Sequence, residues 1–252
     1  MLKRRIIPIL LLMNGRLVKS VHFGEWRDVG DPVKSAAVYN SQYADELIFL
    51  NIARDDASVK PLAELLHRIS EACFMPLSVG GGVCSFEDAA FLIQNGADKV
   101  VINSAAYSHL DLISRVADRF GKQAVVIGVD AKRHDGGYQA VSHGATRVET
   151  VSIEEHLHAC EAAGAGEFLI QSVDQDGTME GFDLPLLRLA CSVATVPVIG
   201  CGGSGQYNHL KAAFLETDVS ALACGSLFNF SDSNPMRAKA FLSNYGLQFK
   251  VV

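Results

Sequence analysis

The stretch Pro76–Ala106, "PLSVGGGVCSFEDAAFLIQNGADKVVINSAA", is answered towards the C-terminus by Pro197–Phe228, "PVIGCGGSGQYNHLKAAFLETDVSALACGSLF". Each half of this echo reads as a short apolar run, a glycine cluster, an amphipathic helical stretch, a second apolar run and a small polar pair. That is strand, turn, helix, strand, the unit of a parallel sheet covered by helices. A second echo joins Ala44–Ser58, "ADELIFLNIARDDAS", to Ala165–Thr178, "AGEFLIQSVDQDGT". The repeating unit is therefore half a barrel, four strands each, and it predicts equivalent sites on opposite sides of one mouth.

Working outward, strands are predicted at Arg5–Leu11, Glu46–Leu50, Pro76–Val79, Lys99–Asn103, Ala124–Val129, Glu167–Gln171, Val196–Gly200 and Ser220–Cys224. Amphipathic stretches such as "VKPLAELLHRISEACF" (59–74) and "LDLISRVADRFG" (110–121) lie between them. Eight near-continuous apolar strands alternating with helices within 252 residues predict an α/β chain closed into a (β/α)8 barrel, one domain over 1–252.

The chain is 49% apolar with a formal charge of -6, and its basic residues cluster only at Lys3-Arg4-Arg5, which speaks against a nucleic-acid partner. Six cysteines form no C-x-x-C pair, so free thiols in a reducing cytosol are expected and no metal site. The start, "MLKRRIIPILLLM", imitates a signal peptide, yet Asn14–Lys19 reads as a turn and a second strand where a cleavage site should stand. No run reaches the roughly 18 apolar residues of a membrane span. A soluble, cytoplasmic protein is expected. His67, His156 and His158 are expected at the surface, Trp26 either in a loop over the mouth or as an ordinary loop aromatic, and the tail as a closing helix with a short extended end.

Gly80-Gly81-Gly82 and Gly202-Gly203 each follow a strand and precede a helix, where glycine lets backbone N–H groups approach an anion. One strand later come Asn103-Ser104 and Gly225-Ser226. Each pair of motifs closes on one phosphate, so the ligand carries a phosphate at both ends; tight turns alone would not require the duplication. "GVDAKR" puts Asp130 at the end of strand five, where barrel enzymes keep their catalysts, and a rim carboxylate there serves as general acid or base or, more blandly, caps a loop. "SVDQDGT" puts Asp174, Asp176, Gly177 and Thr178 just beyond strand six. Arg5, Glu46, Lys99 and Glu167 begin strands one, two, four and six. Two cations and two anions at the bottom of a barrel read, on physics alone, as a salt-bridged plug.

Almost the whole chain resembles the HisF family, the cyclase subunit of imidazole glycerol phosphate synthase. The matching segments include "RRIIP", "GRLVK", "GDPV", "ADELIFL", "VGGGV", "GADKVVINSAA", "VDAKR", "GAGEFLIQSVDQDGT" and "PVIGCGG". The resemblance implies a barrel that takes ammonia from a glutaminase docked on its bottom face and uses it to split and cyclise a bis-phosphorylated ribulosyl aminoimidazole compound, without a cofactor. By resemblance, Lys19, Gly82, Asn103, Asp176, Gly177, Gly203 and Ser226 hold the substrate and its phosphates, with Gly81, Ser104, Gly202 and Gly225 completing the cups. Asp130 matches one of two catalytic aspartates, the four bottom charges match an ammonia gate, and Asp98 matches a glutaminase-docking position.

Two positions depart from the family. Leu11 stands where the second catalytic aspartate belongs, and the rim residue Asn51 replaces a usual aspartate. Leucine cannot move a proton, and general acid–base catalysis is worth ~10²–10⁴-fold, so cyclase activity is expected to be weak or absent. The pattern "LLL" with "GSLF" is similar to HisF-like proteins of surface-polysaccharide loci, which implies relay of ammonia to a separate sugar amidotransferase. Two other readings stay open: an authentic histidine-pathway cyclase in which another group replaces the lost aspartate, and a non-catalytic bis-phosphate-binding protein.

Overall fold

The computed structural model describes residues 3–53, 58–71 and 73–250. Met1 and Leu2 of the signal-like start, Arg54–Ala57 of the second echo, Ala72 of the predicted helix over 59–74 and the terminal Val251-Val252 lie outside the described residues. Eight parallel strands, β1 (Arg5–Met13), β2 (Leu47–Asn51), β3 (Leu77–Gly80), β4 (Lys99–Ile102), β5 (Val125–His134), β6 (Glu167–Ser172), β7 (Val198–Cys201) and β8 (Ala221–Cys224), pair in chain order, and β8 returns to β1. This is the predicted closed (β/α)8 barrel, with all eight predicted strands in place.

Helices α1 (Pro32–Ser41), α2 (Lys60–Ser70), α3 (Phe86–Gln94), α4 (Leu110–Phe120), α5 (Ile153–Ala163), α6 (Leu184–Val193), α7 (Tyr207–Glu216) and α8 (Pro235–Ser243) lie outside the strands. Their starts are written locally. Ser85 and Ser152 form capping boxes with Asp88 and Glu155, and Asp31, Asp183 and Asn234 cap helices that carry proline in the first turn.

Alternation along each strand divides the core in two. One face packs on the helices, burying Ile6, Leu10, Phe49 and Phe168. The other fills the barrel with Ile7, Ile9, Ile48, Val101, Val126, Leu169, Ile199, Cys201, Ala221 and Ala223. Along β1 the inward row is thus Arg5, Ile7, Ile9, Leu11, which takes the chain from the closed end to the mouth.

Two strands run longer than predicted because each continues into an antiparallel hairpin above the barrel. β1 turns at Asn14-Gly15 (φ 51° and 73°) into Arg16–Ser20, which pairs with Trp26–Gly30; β5 turns at Asp135-Gly136 (φ 45° and 79°) into Gly137–Ser142. Positive φ at both central residues matches the twist of such hairpins and suits Asn-Gly and Asp-Gly. The half-barrel repeat therefore extends to its decorations.

One expectation about the surface fails. His156 is 3% exposed, stacked on the Tyr107 ring at 3.9 Å between centroids, and burial holds its imidazole down at about 4. His67 and His158 are exposed as expected. All six cysteines are free, four of them buried. Among the described residues no helix is long and apolar enough to cross a membrane, and no group of acidic, histidine and cysteine side chains is placed to hold a metal.

Candidate functional site

The mouth of the barrel opens into a cavity of about 1480 Å3. Leu11, Lys19, Asn51, Gly81, Gly82, Asn103, Ser104, Asp130, Asp176, Gly177, Gly202, Gly203, Gly225 and Ser226 all line it. Residues from all eight strand ends and from the hairpin after β1 are brought together there.

The two glycine cups share one backbone solution. Gly81 and Gly82 have φ of +91° and +82°, Gly202 and Gly203 +97° and +94°, values that side chains adopt only under strain. A Cβ on Gly81 would run into the carbonyl of Asn51 at the end of β2, and one on Gly202 into that of Ser172 at the end of β6. Glycine is required here for a defined close approach, and the same requirement recurs at two-fold related places. Beside the cups, Ser104 and Ser226 open short helical turns, Ser104–Tyr107 and Ser226–Asn229. The Ser104 hydroxyl accepts from the His143 N–H at 3.0 Å, tying its cup to the hairpin after β5.

Register fixes the relation of Leu11 to Asp130 without reference to any relative. Val101 pairs with Val126, and Ala223 pairs with Ile7 in the same inward layer. Four residues further along each strand stand Asp130 and Leu11, and their neighbours across the next strand are Gln171 and Leu50. Leu11 therefore occupies in the first half the position that Asp130 occupies in the second.

Asp130 is half-buried and accepts a hydrogen bond from the Asn103 side-chain amide at 2.9 Å. Burial pushes its carboxyl up to about 7, against the Asn103 hydrogen bond and with help from the charge of Asp176. A carboxyl at that value holds and releases a proton readily near neutrality. The Asp176 carboxylate accepts from Gln171 Nε2 at 3.2 Å, from the Ser20 hydroxyl at 3.1 Å and from the Phe23 N–H at 3.3 Å. Burial raises it as well, opposed chiefly by Lys19. Lys19 is 8% exposed, and burial lowers its ammonium, opposed by Asp176. Its tail lies over Gly225, where a Cβ would strike both Nζ and Cε. The glycine of the second polar pair thus makes room for the Lys19 ammonium.

Gln171, Ser20 and Tyr107 were not singled out in the sequence. Gln171 carried a usable signal, since it continues the inward row Glu167, Leu169, Gln171; Ser20 and Tyr107 carried none. Asp174 and Thr178 point to local work: Asp174 accepts from the Arg133 N–H at 2.7 Å and Thr178 donates to the Gln175 carbonyl at 3.0 Å.

At the opposite end the four charged residues close into a ring. Glu46 meets Arg5 and Lys99, both at 2.9 Å, Lys99 reaches Glu167 at 2.8 Å, and Arg5 completes the circuit to Glu167. The Ser78 hydroxyl donates to Glu46. The carboxylates are buried, with side chains 3% and 6% exposed, while Arg5 and Lys99 are 24% and 18% exposed. Asp98, beside the ring, is exposed and accepts from the Leu77 N–H at 2.8 Å, so it also fastens the start of β3.

Comparison with known proteins agrees with this arrangement. The family model described as "Histidine biosynthesis protein" matches residues 5–233. Over all 252 residues the chain is 42% identical to the imidazole glycerol phosphate synthase subunit HisF of Hyphomonas neptunium, whose whole length it also covers. With its barrel, its duplicated cups and that full-length identity, the chain belongs to the histidine biosynthesis protein family, among the HisF-like cyclases of imidazole glycerol phosphate synthase.

Proposed function

We propose that this chain is a cytoplasmic, single-domain barrel subunit of a glutamine amidotransferase, one that receives ammonia from a glutaminase at its closed end and has weak or no cyclase activity. The observation that carries this reading is the pairing of an unbroken ring at the bottom with Leu11 at the mouth. Everything a conduit needs is retained, and one of two proton-transfer positions is apolar.

The ring is the proposed inlet. Its cations are the more exposed members, so Arg5 and Lys99 are the parts that swing while Glu46 and Glu167 stay anchored. Past the ring stands a layer of Ile7, Ile48, Val126, Ile199 and Ala221, with the buried Ser78 hydroxyl beside Ile48 turned back to Glu46. Such a layer passes neutral ammonia and rejects ammonium, whose desolvation there would have no compensating partner. At the mouth, the two glycine cups with Ser104 and Ser226 hold phosphates, Lys19 adds positive charge at the second cup, and Asp130 is the remaining acid–base group. Asp98 and the rim of the closed end form the glutaminase-docking face. The ammonia leaving the mouth is relayed to a separate amidotransferase acting on a sugar in surface-polysaccharide synthesis.

Co-expression with the glutaminase encoded beside it tests the inlet. A one-to-one complex whose glutamine hydrolysis is stimulated by the barrel is the expected result, and a barrel that elutes alone would count against the reading. A second reading, the histidine-pathway cyclase itself, is favoured by Asp130, whose carboxyl sits at about 7 in the intact half.

A further inference from the structure

We infer that the mouth takes a phosphate ester with one apolar edge, aromatic or alkyl, and that Leu11 selects for it. The inference rests on the reading that the glycine cups hold phosphate.

Strand order sets the geometry. One cup lies at β3 and β4 and the other at β7 and β8, so two flanks run between them: β1 with β2 on one side, β5 with β6 on the other. The β5–β6 flank presents Asp130 and Gln171, with Asp176 held behind by Gln171. The β1–β2 flank presents Leu11, Met13, Leu50 and Ile52, with Asn51 between the last two, and the hairpin after β1 adds Phe23 and Trp26 beside the polar Asn14, Lys19 and Ser20. Among the side chains of Leu11, Met13, Leu50, Ile52, Phe23 and Trp26 the one strong hydrogen-bonding group is the indole N–H. Lys19 turns to Gly225, Ser20 to Asp176 and the Asn51 amide oxygen to the Ala53 N–H. Trp26 is 50% exposed and Leu11 is half-buried, so apolar surface on this wall faces the cavity.

A ligand bridging the cups with hydroxyls or charges on both edges would bury polar groups against Leu11 and Leu50 without partners, which is costly. A ligand that turns a ring or hydrocarbon edge to this flank gains burial on leucine, methionine and tryptophan instead. The two-fold register makes the asymmetry a matter of side chains, since the same backbone position carries Asp130 on the far flank.

Trp26 is the only tryptophan and lines the mouth, so its emission reports binding there. Phenyl phosphate, ribose 5-phosphate and inorganic phosphate would be titrated against the full chain, by fluorescence and by calorimetry. Phenyl phosphate is expected to bind about tenfold more tightly than ribose 5-phosphate, and Leu11→Asp to bring that ratio to about one or below. Leu50→Asn should do the same, which protects the test should the first variant fold poorly. Equal binding of the two esters by the wild type, or a ratio that survives both substitutions, would overturn the inference while leaving the phosphate cups standing. If calorimetry detects none of the three probes, the cups and the inference fall together.

Discussion

Replacing Lys99 with methionine removes one of two cations from a ring whose carboxylates are nearly inaccessible, with side chains 3% and 6% exposed. Lys99 stands 2.9 Å from Glu46 and 2.8 Å from Glu167. Without it Arg5 alone faces two buried anions, and one negative charge is left unpaired at the closed end. Deleting one partner of a buried ion pair costs about 3–5 kcal/mol. For a chain of this size each kcal/mol lowers Tm by about 2–4 °C, so the variant should melt about 6–20 °C below wild type. Lys99 is 18% exposed, water reaches the vacated place, and the lower end of that range is expected. The double variant Lys99→Met/Glu46→Gln keeps Arg5 opposite Glu167 and restores charge balance. It should melt above the single variant, a non-additivity that thermal unfolding by circular dichroism at neutral pH would read directly. A single variant as stable as wild type, or a double that loses the sum of two singles, would refute mutual neutralisation as the reason these four residues sit together.

Asp130 gives a pH dependence of known sign. Its folded-state value of about 7 lies above that of an unfolded aspartate, ~3.9, so between those limits the native chain keeps a proton that the unfolded chain releases. Stability therefore falls as pH rises through that window, by up to about 4 kcal/mol and by less as cavity water solvates the carboxylate. Asp130→Asn should flatten this component in urea titrations run between about pH 4 and pH 7, and an unchanged slope would contradict the burial argument. Gly225→Ala places a methyl against the Lys19 tail. Phosphate affinity should drop about tenfold or more as the ammonium is displaced, the scale of a lost charge-assisted hydrogen bond; calorimetry showing wild-type affinity would detach Lys19 from that cup.

What could be read from residues alone was what local pattern encodes. Apolar runs and helical periods located all eight strands and the duplicated glycines located both turns at the mouth, whereas Leu11 stood out through the family resemblance, which implies an acid there. The hairpin after β5 had a signal, Asp135-Gly136, as clear as Asn14-Gly15 after β1, but its strands are polar and give no apolar alternation. His156 was misplaced for a different reason. On its own helix it sits among glutamates and histidines, and the Tyr107 ring, brought over from the turn after β4, stacks on it. Likewise no periodicity reveals that Gly225 is glycine because Lys19 arrives from a hairpin after β1. Contacts between elements far apart in sequence decide these positions, and a single sequence does not display them.

The proposed function requires that proton transfer be lost at Leu11 in an otherwise complete barrel. Turnover of the ribulosyl aminoimidazole bisphosphate with excess ammonium salt bypasses any glutaminase and tests it directly, with wild type and Leu11→Asp run side by side. The wild type is expected to be inert or slower than an ordinary enzyme by ~10²-fold or more, and the Leu11→Asp variant to gain activity. A wild type that turns over at a normal rate, with no gain in the variant, would contradict it and make the chain a working cyclase on Asp130 alone.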